Sequence, residues 1–93
     1  MTIAVTPKHQ ITYGGASLYI YHANKGEGIP SHQHFYTHLT ICQNGSCKVS
    51  LDGRSYVINK NSSGLNLPAN EWHEIEALED GTVFVNVFAE GKY

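Results

Sequence analysis

Long apolar runs are missing from this sequence. No stretch approaches the roughly 20 consecutive apolar residues that a membrane span needs, and the opening MTIAVTPKHQ has no basic head followed by an apolar run. A membrane partner is therefore not expected, and a cytoplasmic address is the default expectation. Basic residues are also few. Lys8, Lys25, Lys48, Arg54, Lys60 and Lys92 are scattered among eight acids, for a formal charge of −2. This excludes the clustered positive patch that nucleic acid requires. Five acids crowd one stretch (Glu71, Glu74, Glu76, Glu79, Asp80), at alternating and turn positions that read as a solvated rim.

Cysteine is scarce, with Cys42 and Cys47 flanking QNGS. Asn44-Gly45 is the preferred pair for a two-residue hairpin turn. That turn would set Cys42 opposite Cys47 in a pair whose α-carbons lie about 4.5 Å apart. A disulfide fits there geometrically. Two small side chains packed beneath a turn is the favoured reading without an export signal.

Helical periodicity is absent too: no window of eleven or more residues carries an apolar 3.6 period. Alternation and β-branched or aromatic content instead predict an all-β chain. The expected strands are 3–6, 17–23, 32–36, 38–43, 46–52, 54–59, 64–68, 72–78 and 82–90, with turns at the Gly, Asn and Asp clusters between them. Many short strands close together predict a sandwich or closed barrel, which leaves few exposed edges. With no linker or repeat, residues 1–93 make a single domain. Such a small domain benefits from closure, dimerisation or a bound metal.

The final strand, TVFVNVF, is apolar on both faces: Val83, Val85 and Val87 on one, Phe84 and Phe88 on the other. One face belongs to the barrel interior and the other would meet another sheet or subunit, so a homodimer is expected. Asn86 interrupts the Phe face, and a buried amide needs partners. A structural hydrogen-bond hub is the favoured reading, with a polar group in a cavity as the other.

What the sequence does have is histidine. HQHFYTH, residues 32–38, holds three of the six. On a regular strand His32, His34, Tyr36 and His38 would face one way. Imidazole offers a neutral lone pair near pH 7, and two histidines two apart on a strand reach the same ion. A complete site needs a ligand from another strand. His9 and His22 read as ordinary surface or core residues, His22 being the better candidate for burial. Thr40 and Cys42 continue the parity of His38. Trp72 should face opposite His73 and pack outside the cavity.

These intervals resemble the cupin superfamily. Its first motif is Gly, five residues, His-x-His, three or four residues, Glu, six residues, Gly; this chain has Gly26, His32, His34, His38 and Gly45 at those intervals, over 26–45. His38 stands where most metal-binding cupins carry Glu, as in the all-histidine sites of some small cupins. The second motif is matched over 62–77 by Pro68, Asn70 in place of Gly, and His73, while Ser62 and Ala77 depart from it. Asn tolerates positive φ, so the turn survives the change.

The resemblance implies a conical β-barrel, the jelly roll or double-stranded β-helix, with one divalent transition metal ion held by His32, His34, His38 and His73. Nitrogen-only ligation suits Fe, Mn, Zn, Ni and Cu; Fe or Mn is the expectation for an enzyme. Four neutral ligands leave the ion's charge uncompensated, so a small anionic ligand is the expected partner. Related cupin dioxygenases bind substrate at such an ion, which makes a metal-dependent, dioxygenase-like oxidoreductase acting on a small enolisable or carboxylated molecule the first reading. Tyr36 is the candidate catalytic residue, as proton donor or substrate contact, and otherwise a wall aromatic. A non-catalytic metal and small-ligand module, a sensor or accessory protein, is the second reading. A sugar isomerase or epimerase would want a histidine–aspartate pair, which the sequence does not display.

Overall fold

Period-two alternation of buried and exposed residues sorts this chain into strands with one face inside. A computed structural model describes residues 2–89. It contains β1 (Ile3–Ala4), β2 (His9–Tyr13), β3 (Ala16–Ala23), β4 (Glu27–His32), β5 (His38–Asn44), β6 (Ser46–Leu51), β7 (Arg54–Asn59), β8 (Leu65–Leu67), β9 (His73–Ala77) and β10 (Thr82–Ala89). They form two five-stranded sheets, ordered β1-β4-β9-β6-β7 and β2-β3-β10-β5-β8. The chain is all-β, a jelly roll, as expected.

The core fills the space between the sheets. Val49, Ile75, Leu67, Phe84 and Cys47 are fully enclosed, and Tyr21 stacks on Phe84 with ring centroids 4.8 Å apart. Each such apolar side chain contributes roughly 1.5–3 kcal/mol on burial. On β10 the inward residues are Phe84, Asn86 and Phe88. The Phe face of the doubly apolar strand points into the core, while on the Val face Val83 and Val87 are half-buried and Val85 is buried as well, at 4% exposure. Asn86 is buried at 3% exposure and accepts a hydrogen bond from Thr40 Oγ1 at 2.7 Å, the partner that a buried amide needs.

Several expectations need correction. Residues 32–36 are not a strand: β4 ends at His32, and residues 33–37 carry the chain from one sheet to the other. Pro30 lacks the N–H needed to continue the β4–β9 ladder, and the register shifts between Ile29 and His32. Asn44-Gly45 does not make a hairpin either. It is the point where the chain leaves the second sheet (β5) for the first (β6), and a Cβ on Gly45 would lie 2.5 Å from Thr82 Oγ1. Packing between the sheets overrides the local turn preference there. Cys42 and Cys47 nevertheless meet, as buried free thiols 3.9 Å apart.

The strand β2 was not expected, because all five of its residues are exposed at a sheet edge and carry no burial alternation. The first strand is shorter than 3–6, and residue 90 of the last expected strand lies outside the described residues. Asp52-Gly53 does form the β6–β7 turn, with both φ positive (46° and 84°) and Leu51 paired to Arg54. Gly28 is fixed by a close approach: a Cβ there would sit 2.0 Å from Ile75 O, so only glycine lets β4 lie against β9.

Candidate metal centre

The bulge in β4 builds the site. Ile29 pairs with Ile75 and His32 with His73, three steps along β4 against two along β9. The extra residue at Pro30-Ser31 is a β-bulge, which re-aims the side chain that follows it. His32 thereby joins Ile29 on the inner side despite opposite parity, and its ring lies 4.3 Å from that of His73.

His34 arrives from the crossing segment rather than from a strand. That segment is held against residues 68–72 by several bonds. Asn70 N donates to His34 O at 2.7 Å, Ala69 N donates to Thr37 Oγ1 at 3.2 Å, and the Gln33 amide donates to Asn70 O and accepts from Trp72 Nε1. Asn70 has φ 66°, the left-handed turn expected of an Asn replacing Gly. Trp72 is 54% exposed and lies outside the cavity, also as expected.

His38 opens β5 on the opposite sheet, buried, with its ring 5.1 Å from His34 and 5.3 Å from His73. Four histidines from two sheets and a loop thus converge. Ring nitrogens of His32, His34 and His73, one from each, lie within 4.8 Å of one another, a triad that could hold a metal ion, and His38 is not part of that set.

Each triad imidazole is oriented by a main-chain carbonyl two residues away. His32 Nδ1 lies 2.9 Å from Pro30 O, His34 Nδ1 2.8 Å from Tyr36 O, and His73 Nδ1 3.0 Å from Glu71 O. Carbonyls only accept, so each Nδ1 carries the proton and each Nε2 keeps its lone pair. His73 Nε2 is fully buried with no hydrogen-bond partner among the described residues. An orphaned buried acceptor is costly unless something occupies it. A divalent cation fits this donor set, which is neutral, nitrogen-only and oriented in advance.

Burial favours the neutral form of three of the rings. Desolvation, then the neighbouring histidines, lowers His38 to about 3; desolvation chiefly lowers His73 to about 4; and burial lowers His34 as well. Neutral imidazole is the form that binds metal.

Tyr36, placed by the sequence on the same wall, stacks on His34 at 4.1 Å with the rings 6° apart and lies 6.0 Å from Phe88. Thr40 and Cys42 do share the inward parity of His38. Thr40 reaches the site, while Cys42 belongs to the core. His22 is exposed, contrary to its expected burial, because Tyr21 and Ala23 take the inward positions of β3; its ring meets that of His9 at 6.3 Å. The carbonyls of Pro30, Tyr36 and Glu71 are functional groups that side-chain motifs could not reveal.

A family model described as FdtA, WxcM-like, C-terminal, matches residues 4–93. Among solved structures, KdgF from a Halomonas species superposes with a TM-score of 0.78 at 17% identity, covering 87% of this chain and 74% of its own. A cupin protein from Bacteroides fragilis gives 0.69 at 17% identity, with 100% and 86% covered. A cupin 2 domain-containing protein from Halorhodospira halophila gives 0.80 at 15%, with 91% and 64% covered. No curated protein matches the sequence.

Proposed function

The chain belongs to the FdtA, WxcM-like C-terminal family and through it to the cupin superfamily, and from that premise we propose a metal-dependent, dioxygenase-like enzyme acting on a small anionic molecule. The ligands are His32, His34 and His73, with His38 as the fourth, and Fe or Mn is the expected ion. The single observation that carries the reading is the buried, partnerless Nε2 of His73 among three other imidazoles. When bound, the ion supplies a Lewis-acidic centre with two positive charges that no ligand cancels, which favours a carboxylate or enolate at the open positions.

The rest of the work falls to the chain. The carbonyls of Pro30, Tyr36 and Glu71 hold the ligand rings before anything binds, so little ordering cost remains. Tyr36 stacked on His34, with Phe88 and Tyr19 beyond it, forms an aromatic wall that excludes water on one side of the cluster. Tyr36 is the residue placed to contact a substrate there. The test is metal analysis of protein prepared without added metal, then oxygen consumption with diketones, flavonols, thiols and hydroxy acids. Consumption with one class, lost in His73→Ala, supports the enzyme.

A second reading, a non-catalytic metal and small-ligand module, is favoured by one observation. Among the described residues, no carboxylate is a hydrogen-bond partner of the four imidazoles, so a carboxylate acid or base is not paired with them. Metal and anion binding without turnover would select it.

We also propose that two copies pair through the outer face of the β3-β10-β5 region. Support comes from Val83, Val85 and Val87 lying beside Leu18, Ile20 and Ile41 on that face. The outward positions of these three strands carry no Lys, Arg, Asp or Glu. An uncharged face laid on its own image meets no like charge, and pairing covers surface that so small a domain leaves open.

A further inference from the structure

His38 differs from the other three histidines in what holds it. Their Nδ1 atoms face main-chain carbonyls, which no substitution removes. The Nδ1 of His38 has a side chain beside it, Thr40 Oγ1, at 3.4 Å, in addition to the Leu39 main chain near the ring. Thr40 Oγ1 lies in turn 2.7 Å from Asn86 Oδ1, across a directly paired position of β5 and β10. All three residues are buried, at 5%, 0% and 3% exposure.

The order of donors in this chain is fixed by elementary chemistry. An amide oxygen only accepts, so the single hydroxyl proton of Thr40 goes to Asn86 Oδ1. What Thr40 Oγ1 still offers His38 is a lone pair. His38 must then carry its proton on Nδ1, which leaves the lone pair on Nε2. This is the tautomer the carbonyls impose on the other three rings.

We propose that Asn86 and Thr40 form a relay that sets the tautomer and orientation of His38, and so decide whether a fourth imidazole joins the metal. Both are positioning residues: neither touches the ion, and both act through His38. The inference rests on the reading of the cluster as a metal centre. It explains why β10, otherwise Val and Phe through its middle, spends a buried position on an amide. It also makes the fourth ligand the adjustable member of the set, because one of its partners is a replaceable side chain.

The test reads the tautomer directly, in metal-free protein, from long-range proton–nitrogen correlations of ¹⁵N-labelled histidine. The wild type and Thr40→Ser, which keeps the hydroxyl, should show His38 protonated on Nδ1. Asn86→Leu frees the Thr40 proton to turn toward His38, so His38 should switch to the Nε2-protonated form. Thr40→Val, close in shape, removes the acceptor and should lose the Nδ1 preference.

In zinc titrations of the same proteins, Asn86→Leu and Thr40→Val should bind about 10-fold or more weakly, and Thr40→Ser should bind as the wild type does. A wild-type His38 protonated on Nε2 would overturn the relay without any variant. An Nδ1 proton that persists in folded Asn86→Leu would overturn it as well. Wild-type protein that binds no zinc would instead defeat the metal-centre reading, while the tautomers still decide the relay.

Discussion

His32 and His73 meet edge to face, ring centroids 4.3 Å apart, because β4 carries one more residue than β9 between this pair and the Ile29–Ile75 pair. The bulge at Pro30-Ser31 is thus part of the site. Deleting Ser31 alone should regularise the ladder and keep His32 opposite His73 on the side of Ile29, whereas deleting Pro30 and Ser31 together should set His32 opposite Glu74 on the outer face. Metal content should then fall to the level of His32→Ala in the double deletion only, while the far-ultraviolet circular dichroism stays that of a β protein. Full metal occupancy in the double deletion would show that the β4–β9 register does not aim His32.

The pH dependence of folding follows from the buried rings. His38 and His73 are lowered from 6.5 to about 3 and about 4, with desolvation the leading cause in both. The fold therefore favours the neutral rings, and below pH 6.5 the unfolded chain binds more protons. Their contribution to stability is fully present above about 6.5 and is lost as pH falls toward 4 and then 3. Urea midpoints of metal-free protein should decline across that window, and His38→Gln should flatten the decline. A midpoint independent of pH between 6.5 and 4 would contradict the burial of these rings. The same burial moves acid release of metal below the pH 7 to 5 window that free imidazoles would give, since protons compete less well for lowered sites.

Replacing His38 by Glu should leave a metal in place and weaken anion binding. A carboxylate oxygen still coordinates, but it cancels one of the ion's two charges. At about 4 Å a unit charge is worth ~1 kcal/mol in bulk water and ~4 kcal/mol at an effective dielectric of 20. Titration with succinate or 2-oxoglutarate should show at least a several-fold loss in His38→Glu. Equal affinity in two equally metallated proteins would show that ligand charge does not govern what the pocket takes.

Pairing through the Val face should appear as a dimer in sedimentation at micromolar concentration. Val87→Lys, half-buried on that face, should yield monomers, whereas Lys48→Glu on the other sheet should not. A wild type that sediments as a monomer would end the proposal.

Much of this arrangement is legible in the sequence, and the failures have physical causes. Strand β7 is read at its true bounds because RSYVIN alternates cleanly between Asp52-Gly53 and Asn61. The ligand intervals are legible because a family pattern spans them, and Asn70 because few residues accept positive φ. The shared-strand argument for His32, His34 and His38 names residues whose rings do converge, but by the wrong geometry: they lie on a bulged strand end, a crossing loop and the opposite sheet. A bulge and a sheet crossing depend on which strands become neighbours, which local pattern does not encode. The same holds for Asn44-Gly45, where a good hairpin pair serves a sheet-to-sheet crossing. The role of Asn86 is half legible: its burial follows from alternation, its partner only from the β5–β10 register.

The central claim is that His32, His34, His73 and His38 hold one metal ion. Metal content per chain, measured by mass spectrometry after equilibrium dialysis against a divalent transition metal at neutral pH, tests it most directly. One ion per chain is expected in the wild type and in the controls His9→Ala and His22→Ala, with loss in His32→Ala and His73→Ala. Full occupancy in His73→Ala, or no ion in the wild type, would contradict it.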